Sequence, residues 1–398
     1  MLGRALDESY PLEVRQRVTL LTVARACANA CFRFAPPFLA TIAAGQHVTL
    51  DRIGMALGIT ELAGLFSPIT ARVGDRMQRR TALSLGLAIV GLATISAASS
   101  TNLVWFTLSI MVMAQSKAMF DLGLGAWICD RVGFDRRGRV MALTETAWAV
   151  GLLLGVTAMG LVTAASNWRV GYVLGAVSVL GLAAAVRALL PVDTAAIAHA
   201  RQSAARTGRM PRDGWVLIGG VFCLMFATQC LFVTFGSWLK DHFGFTDTGV
   251  SIVVFGLGFG ELLASLASAR FVDHWGKERS TIIGVGVMVP SALVLAVGHG
   301  HLLPGLLGLV LAIGAFEFAV VCVFPITTEM IAGAPARGIA LAFTFGTLGR
   351  ATASFTATRL YTRHGMMWPA LLCAIFAVGT ALAVGRYQRA RDAARLVP

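Results

Sequence analysis

The chain contains a series of apolar stretches, each long enough to cross a lipid bilayer as a helix, which needs about 20 mostly apolar residues. Charged breaks or breaks rich in Gly and Pro separate them. The strands of a membrane barrel would be about half as long and would alternate polar with apolar residues. The pattern therefore predicts twelve membrane-spanning helices, at 18–41, 52–73, 80–99, 103–128, 139–162, 168–190, 214–237, 248–270, 280–298, 302–328, 338–360 and 367–387.

The composition agrees with this prediction. Of 398 residues, 57% are hydrophobic and 13% are charged, whereas a soluble domain carries about 25% charged residues. Twelve helices of about 20 residues would use roughly 240 positions, which is close to the hydrophobic share of the chain. These figures exclude a soluble enzyme, a secreted disulfide scaffold and a disordered protein. The predicted fold class is an all-α membrane protein.

The formal net charge of +13 does not indicate a nucleic-acid partner. No run of Lys and Arg alternates with aromatic residues, as a nucleic-acid surface requires. The seven cysteines lie inside or at the ends of apolar stretches and lack metal-ligand spacing with a His, which is typical of packing residues. We therefore expect no nucleic acid, metal or cofactor.

The distribution of positive charge predicts the orientation. Cytoplasmic loops carry an excess of Lys and Arg, and a cytoplasmic N-terminus places most of the 33 Lys and Arg inside. The outer loops then hold only Arg52, Arg169, Lys240 and Arg363. Residues 1–17 are polar, and the long apolar segment after them lacks a cleavage site, so span 1 is expected to be uncleaved. We expect both termini to be cytoplasmic in a bacterial-type inner membrane, with anionic lipids as partners of the surplus charge.

An internal repeat divides the chain into two six-helix halves. Residues 187–213 form the longest polar stretch and split the chain near its midpoint. Three short patterns recur in order, at a near-constant offset, on its two sides. They are Ala71-Arg72-x-x-Asp75 and Ala269-Arg270-x-x-Asp273, Arg137-Gly138 and Arg337-Gly338, and Trp168 and Trp368. The repeat predicts parallel halves at 1–190 and 214–398, joined by a cytoplasmic linker at 191–213.

Charged residues within the predicted spans indicate a polar cavity. An ionisable side chain in the bilayer core costs several kcal/mol, so it normally faces a partner or water. The interiors of spans 3, 6, 9 and 12 contain no charge, which predicts that these four spans are peripheral. Asn29 lies on the same helix face as Arg25 and Arg33 and is included with the charged residues. The proposed substrate and proton pathway comprises Arg25, Asn29, Arg33, Glu61, Lys117, Asp121, Glu145, Glu261, Glu317 and Arg350.

With these features the chain resembles the major facilitator superfamily over essentially its whole length. That family has twelve helices in two pseudo-symmetric halves, and a Gly-x-x-x-Asp-Arg-x-Gly-Arg-Arg signature follows span 2. Here the segment runs from Ala71 through Asp75 to Arg80, with Ala71 and Gln78 replacing the two glycines. The resemblance implies a cytoplasmic gate in which Arg76 or Arg79 pairs with Asp130. It comprises Asp75, Arg76, Arg79, Asp130 and Asp273.

Span 5 carries a second, shorter resemblance. Drug–proton antiporters have a Gly-x-x-x-Gly-Pro-x-x-Gly-Gly run there, and this chain keeps Gly151, Gly155 and Gly160 but has Val156 in place of the Pro. Residues 116–169 also resemble a branch of bacterial exporters. These resemblances imply export, whereas a Gly-x-x-x-Gly pattern in a membrane helix also serves plain close packing.

Counting about 1.5 Å per helical residue sorts the buried charges by depth. Arg25, Asp121 and Glu145 share an inner layer, while Arg33, Glu61 and Lys117 lie more centrally, with Glu261, Glu317 and Arg350 in the other half. We expect Glu61 to face Arg33. Such pairs either orient the helices permanently or exchange partners when a carboxylate binds a proton. As proton carrier, Glu61 ranks first, followed by Asp121 and Glu145.

The sequence therefore predicts a proton-coupled secondary active transporter that exports a small amphiphilic compound by alternating access, acting as a monomer. The alternative is a proton-coupled symporter that imports a small anionic metabolite, with Arg33 as the anion anchor. A membrane-embedded enzyme or a transporter-like sensor is disfavoured. The His residues lie in loops or at span ends, and no nucleophile with a base and no added soluble domain is found.

Overall fold

The computed structural model of the chain describes residues 2–66, 69–70, 73, 77–193, 210–331 and 335–396, without the side chains at 5, 134–138, 142, 269, 273–274, 328–329, 335–337 and 394–396. Within these ranges the structure is helical and has no strand. The predicted all-α class is confirmed.

Most helices follow the predicted spans closely, and each carries the label used below. A 3-10 turn, Leu2–Ala5, precedes the first of them. They are α1 Leu12–Arg33, α2 Leu39–Gly45, α3 Leu50–Glu61, α4 Arg79–Ala98, α5 Leu103–Arg131, α6 Phe134–Glu145, α7 Ala147–Val150, α8 Thr157–Ala165, α9 Trp168–Leu189, α10 Arg212–Phe243, α11 Asp247–Trp275, α12 Lys277–Gly298, α13 Leu302–Glu329, α14 Pro335–His364 and α15 Met367–Leu396.

In the described part of the chain, 9 helical segments are long and apolar enough to cross a membrane. They coincide with predicted spans 3–10 and 12, and span 5 runs through α6, α7 and α8. The other three predicted spans are also helical, but charges or breaks interrupt their apolar character. A helix that keeps charges at bilayer depth needs protein partners for them, and spans 1, 2 and 11 carry several of the predicted site residues.

Span 1 differs from its prediction because it is not one continuous helix over 18–41. The structure ends α1 at Arg33 and starts α2 at Leu39. Pro36 and Pro37 lie between them, and a proline has no N–H to donate and clashes with the preceding turn. Span 2 is likewise shorter as an α-helix, because α3 ends at Glu61 and continues as a 3-10 turn, Leu62–Phe66.

Span 5 is helical throughout but changes its winding at its centre. Between α7 and α8, residues Gly151–Val156 form a π-helix, a rare conformation that is frequent at functional sites. The glycines of this span serve close packing: a methyl group on Gly151 would lie 2.8 Å from the Ala26 carbonyl oxygen, and one on Gly155 would lie 2.4 Å from the Ala30 Cβ. The π-helix therefore lies directly against the backbone of α1.

The described residues form two compact units. Unit 1 comprises those within 1–35, 66–205 and 247–258, and unit 2 comprises those within 36–65, 206–246 and 259–398. In unit 1, α4 packs against α5 and α9, and Tyr172 is surrounded by the rings of Phe34, Phe106 and Trp168 at 4.8–6.2 Å. Burial of several aromatic rings in edge-to-face contact stabilises this core.

Unit 2 is built on contacts of α10 with α14 and α15, and of α12 with α13 and α15. The short helix α3 also belongs to it and packs on α14. Gly54 and Gly58 make this approach possible, because Cβ atoms there would lie 2.3 Å from Thr358 and 2.7 Å from Phe355. Small residues four positions apart let two membrane helices approach closely. This packing brings Glu61, at the end of α3, to α14.

The π-helix also packs on α11 within unit 1, which gives a prediction for Gly258. A methyl group there would lie 2.5 Å from the Leu153 nitrogen and 2.6 Å from its Cα, so backbone would have to move. We expect Gly258→Ala to lower the free energy of unfolding by about 1–3 kcal/mol, the usual cost of overpacking. The measurement is reversible unfolding in mixed micelles.

Gly256→Ala is the matched control, because the same helix leaves open space at that position. We expect it to be neutral or stabilising by up to about 1 kcal/mol, since Ala favours helix over Gly. Equal stability of Gly258→Ala and Gly256→Ala would contradict the close approach of α11 to the π-helix.

Candidate functional site

Four charged side chains of unit 1 form a partly buried ion network at the predicted inner layer. Arg25 of α1 is the first link: its Nε donates to Asp121 Oδ1 at 3.0 Å, and its Nη1 donates to Glu145 Oε1 at 2.8 Å. Nη1 also donates to the Thr144 carbonyl oxygen at 3.1 Å. The structure thus brings together Arg25, Asp121 and Glu145 from α1, α5 and α6.

Lys117 is the second cation of this network. Its Nζ lies 2.6 Å from Asp121 Oδ2, one turn away on α5. The sequence placed Lys117 in the central layer with Arg33, so its ion pair with an inner-layer carboxylate is a correction. A lysine stem of four carbons spans about one helical turn, so depth counted at the backbone does not set the depth of its ammonium group.

The ring of Trp148 lies beside two cations. Lys117 Nζ is 4.2 Å from its ring centroid, and Arg33 Cζ is 5.9 Å from the same centroid. Arg33 Nη1 also donates to the Trp148 carbonyl oxygen at 3.2 Å. A cation near a tryptophan face gains about 0.5–2 kcal/mol. The sequence alone does not indicate these contacts, because the angular position of a ring on its helix is not visible before packing.

Asn29 lies between Arg25 and Arg33 on the predicted face of α1. Its side chain is fully buried, and neither the amide nitrogen nor the amide oxygen has a hydrogen-bond partner among the described residues. It is close to the π-helix, since a methyl group on Gly151 would lie 3.0 Å from its Cβ. An unpaired buried amide costs about 1–3 kcal/mol, so a polar partner for Asn29, such as water, an ion or a substrate group, would lower the free energy of this site.

The two carboxylates of the network differ in exposure and in partners. Asp121 is 19% exposed and receives hydrogen bonds from both cations, whereas Glu145 is 49% exposed and binds Arg25. Protonation of Asp121 would disrupt two ion pairs, while protonation of Glu145 would disrupt one. Asp121 is therefore the more constrained carboxylate of this network, and Glu145 is the more accessible one.

Unit 2 holds a separate ion pair between Glu61 and Arg350. Arg350 Nη2 lies 2.6 Å from Glu61 Oε1, and the side chains are 24% and 8% exposed. The expectation that Glu61 pairs with Arg33 was wrong, because its partner is Arg350. The physical reason is the packing of α3 on α14, which brings Glu61 to Arg350.

The remaining pathway residues of unit 2 lie on α11 and α13. Glu261 is completely buried, and Glu317 Oε1 accepts a hydrogen bond from Ser265 Oγ at 2.7 Å. Ser265 was not predicted, although it follows Glu261 by one helical turn and so lies on the same face. The structure brings Glu317 to Ser265.

The predicted gate is described only in part. Asp75 and Arg76 lie outside the described residues, and so does the side chain of Asp273. Arg79 Nε lies 2.9 Å from Asp130 Oδ2, which is one of the two pairings that the resemblance implied.

The Arg79–Asp130 pair has neighbours that sequence reasoning missed. Asp193 accepts the backbone N–H of Arg79 at 2.8 Å and binds Arg131 at 3.0 Å. Arg131 also binds Glu13 at 2.7 Å. Asp193 lies shortly after the end of α9, and its carboxylate is held at the N-terminus of α4. A negative charge at that position is favoured by the helix dipole. The start of the predicted linker thereby contacts α4 and α5 directly, and it is connected to α1 through Arg131.

These features define a polytopic membrane protein in which charges buried on several helices face protein partners. The sequence model of the Major Facilitator Superfamily matches residues 21–219 and 217–397, and the chain belongs to this family. It is an integral membrane protein, and its relatives in the family are transporters.

Comparison with individual proteins agrees with the family. The chain is 25% identical over 234 residues to the uncharacterized MFS-type transporter YwfA of Bacillus subtilis, covering 56% of this chain and 55% of that protein. It is 28% identical over 138 residues to the niacin transporter NiaP of Acinetobacter baylyi, covering 33% of this chain and 28% of that protein. The chain thus spans about half the length of the first of these curated relatives and less of the second.

Two solved structures share the fold. The human organic anion transporter MFSD10 (TETRAN) matches with a TM-score of 0.72 and 18% identity, covering 95% of this chain and 100% of that one. A bacterial homolog of the human lysosomal transporter Spinster, in an inward-facing and unoccupied conformation, matches with a TM-score of 0.73 and 13% identity, covering 95% and 98%. The predicted major facilitator fold is confirmed.

Proposed function

We propose that this protein is a proton-coupled secondary active transporter that exports a small amphiphilic compound across the cytoplasmic membrane by alternating access. The observation that carries the proposal is the ion network of Arg25, Lys117, Asp121 and Glu145. It joins α1, α5 and α6 within predicted spans 1, 4 and 5. Buried ion pairs of this kind are rare in membrane spans and mark substrate or proton pathways.

Proton coupling follows from an exchange of partners in this network. When Glu145 takes up a proton from water, its attraction to Arg25 is lost, and Arg25 is left with Asp121. A change in the partners of Arg25 alters the packing of α1 against the neighbouring π-helix. Because π-helical turns are frequent at functional sites, proton binding at Glu145 is linked in this proposal to a conformational step at the π-helix.

The proposed substrate class follows from the surroundings of Trp148. Its indole ring offers an apolar surface, while Arg33, Lys117 and Asp121 supply charges of both signs nearby. A compound with an apolar body and one polar group matches this combination. The exported compound is therefore small and amphiphilic, and the protein acts on it as a monomer.

A specific observation favours a second candidate, the import of a small anionic metabolite with protons. Arg33 and Lys117 both lie beside Trp148, and a guanidinium group binds carboxylates in a bidentate manner. The similarity to a niacin transporter over 138 residues supports the same class of substrate. In this candidate Arg33 anchors the carboxylate of the substrate.

The remaining expectations from the sequence are part of the proposal. Both termini lie in the cytoplasm, and residues 1–190 and 214–398 are the two halves that alternate. Asp75, Arg76, Arg79, Asp130 and Asp273 form the cytoplasmic gate. The Arg79–Asp130 pair at 2.9 Å supports this role, since an ion pair that forms in one conformation and opens in another can bias the equilibrium between them.

In the Glu145→Gln variant, the proposal predicts that substrate binding is kept while coupling to the proton gradient is lost. We expect the variant to fold and to exchange substrate down its gradient, while transport driven by a pH gradient falls by at least tenfold. A neutral amide keeps the shape of the side chain but cannot carry the proton. The measurement uses inside-out vesicles with an imposed pH gradient, with ethidium as the amphiphilic probe and nicotinate as the anionic one.

Glu8→Gln, at an exposed acid before α1, is the control and should transport as the wild type does. Gradient-driven movement of ethidium into the inside-out vesicles supports export, whereas nicotinate leaving them with protons supports the second candidate. Full gradient-driven flux in Glu145→Gln would remove this residue as the proton carrier. If the flux of both probes is independent of the pH gradient, proton coupling is contradicted altogether.

A further inference from the structure

An open cavity of about 490 Å³ lies in unit 1, where α1 begins, α4 begins and α9 ends. Its wall combines polar and apolar side chains, among them Leu12, Gln16, Arg17, Arg80, Leu189 and Leu190. None of these residues belongs to the proposed pathway or to the proposed gate.

The cavity carries positive charge that the described protein does not neutralise. Its lining includes the cations Arg17 and Arg80 and the carboxylate of Glu13. Glu13 binds Arg131 at 2.7 Å, an arginine that Asp193 also binds at 3.0 Å, so Glu13 offsets part of the charge of the two lining arginines and a net positive charge remains. Among the described residues, neither Arg17 nor Arg80 has an acidic partner, and the Nε of Arg80 is inaccessible to solvent without a hydrogen-bond partner. The cavity is therefore suited to an anion.

The cavity lies at the ends of two segments that are long and apolar enough to cross a membrane, so we place it at the membrane–water interface. The apolar membrane segments Arg79–Ala98 and Trp168–Leu189 begin and end beside it. Leu12, at the first position of α1, exposes 62% of its surface, and Leu189 is also exposed. Exposed leucines next to two arginines form an amphipathic surface, which matches a ligand that has both an anionic group and hydrocarbon chains.

We propose that this cavity binds the headgroup of an anionic phospholipid. The guanidinium groups of Arg17 and Arg80 hold the phosphate group, because guanidinium donors match the geometry of phosphate oxygens. The acyl chains leave along Leu12 and Leu189 into the bilayer. A soluble phosphate compound would not use these leucines, and a zwitterionic lipid would neutralise only part of the positive charge.

The test measures lipid binding to the purified full-length protein in detergent by native mass spectrometry. The probes are short-chain phosphatidylglycerol, the matching phosphatidylcholine and inorganic phosphate. We expect the wild type to bind phosphatidylglycerol more tightly than phosphatidylcholine. Each cation near an anionic lipid contributes roughly fivefold in affinity, so the double variant Arg17→Gln with Arg80→Gln should bind phosphatidylglycerol about 25-fold more weakly.

Two further variants make the result specific to the cavity. Leu189→Glu leaves both arginines in place but adds a negative charge at the apolar wall, and it should also weaken phosphatidylglycerol binding. Arg279→Gln removes an exposed arginine from the first turn of α12, outside the cavity, and should bind within twofold of the wild type.

Two results would overturn the assignment. Equal affinities for phosphatidylglycerol in the wild type and the double variant would show that the arginines hold no lipid. Inorganic phosphate that displaces phosphatidylglycerol at comparable concentration would assign the cavity to a free anion instead. Both results concern lipid binding alone, so they leave the proposed transport function untouched.

Discussion

Asp121→Asn is expected to be among the most destabilising single changes in unit 1, lowering the free energy of unfolding by about 3 kcal/mol. The substitution leaves Lys117, a buried cation, without its carboxylate partner at 2.6 Å. Removing one partner of a buried ion pair costs about 3–5 kcal/mol, and the 19% exposure of Asp121 places the effect at the lower end. Reversible unfolding in mixed micelles measures it.

A double-mutant cycle with Lys117→Met tests the cause. If the lost stability comes from the uncompensated ammonium group, the double variant should be clearly more stable than Asp121→Asn alone, because no lone charge remains. Asp7→Asn is the matched control, since it makes the same change at an exposed pair with Arg139 at 3.9 Å. Exposed pairs are worth about 0–1 kcal/mol. Additive effects in the cycle would contradict the direct pairing of Lys117 with Asp121.

Arg350→Gln is expected to produce the largest loss of stability in unit 2, about 3–5 kcal/mol. It removes the cation that lies 2.6 Å from Glu61, a carboxylate that is only 8% exposed. A buried carboxylate without its counter-ion loses solvation by water and gains nothing in return. Glu61→Gln should cost less, because the arginine left behind is 24% exposed and keeps access to water.

The cycle of Glu61→Gln with Arg350→Gln separates their coupling from the other contacts of Arg350. We expect the double variant to recover part of the stability lost in Arg350→Gln. The same cycle bears on transport. The sequence ranked Glu61 first among the candidate proton carriers. If Glu61 carried the proton, the Glu61→Gln variant would fold well but lose flux driven by a pH gradient. Loss of stability with intact flux would assign Glu61 to the packing of α3 on α14.

Much of the fold could be predicted because the bilayer simplifies the problem. Its thickness sets the length of each span, so apolar length alone located the nine segments that the structure describes as candidate spans. The same argument applies to depth. A helix rises about 1.5 Å per residue, so counting from the span ends placed Arg25, Asp121 and Glu145 at one level, and the structure joins them by ion pairs at 2.8–3.0 Å.

Some details were visible in the sequence but were not used. The pair Pro36-Pro37 inside predicted span 1 breaks the helix, because proline removes a backbone donor. Ser265 follows Glu261 by one turn and donates to Glu317. The pattern Gly54-x-x-x-Gly58 marks the face of α3 that packs on α14. Each of these patterns is local in the sequence, although the partners in the last two cases come from distant helices.

By itself, then, the sequence determined the positions of the nine candidate spans and the shared level of Arg25, Asp121 and Glu145. Only the tertiary structure decided which charges pair: Glu61 with Arg350, Lys117 with Asp121, and Asp193 with Arg131. Depth is set along one helix by a fixed rise, whereas a partner also depends on the rotation of each helix about its axis and on its neighbours. Those quantities arise from side-chain packing between helices, which residues far apart in the chain determine together.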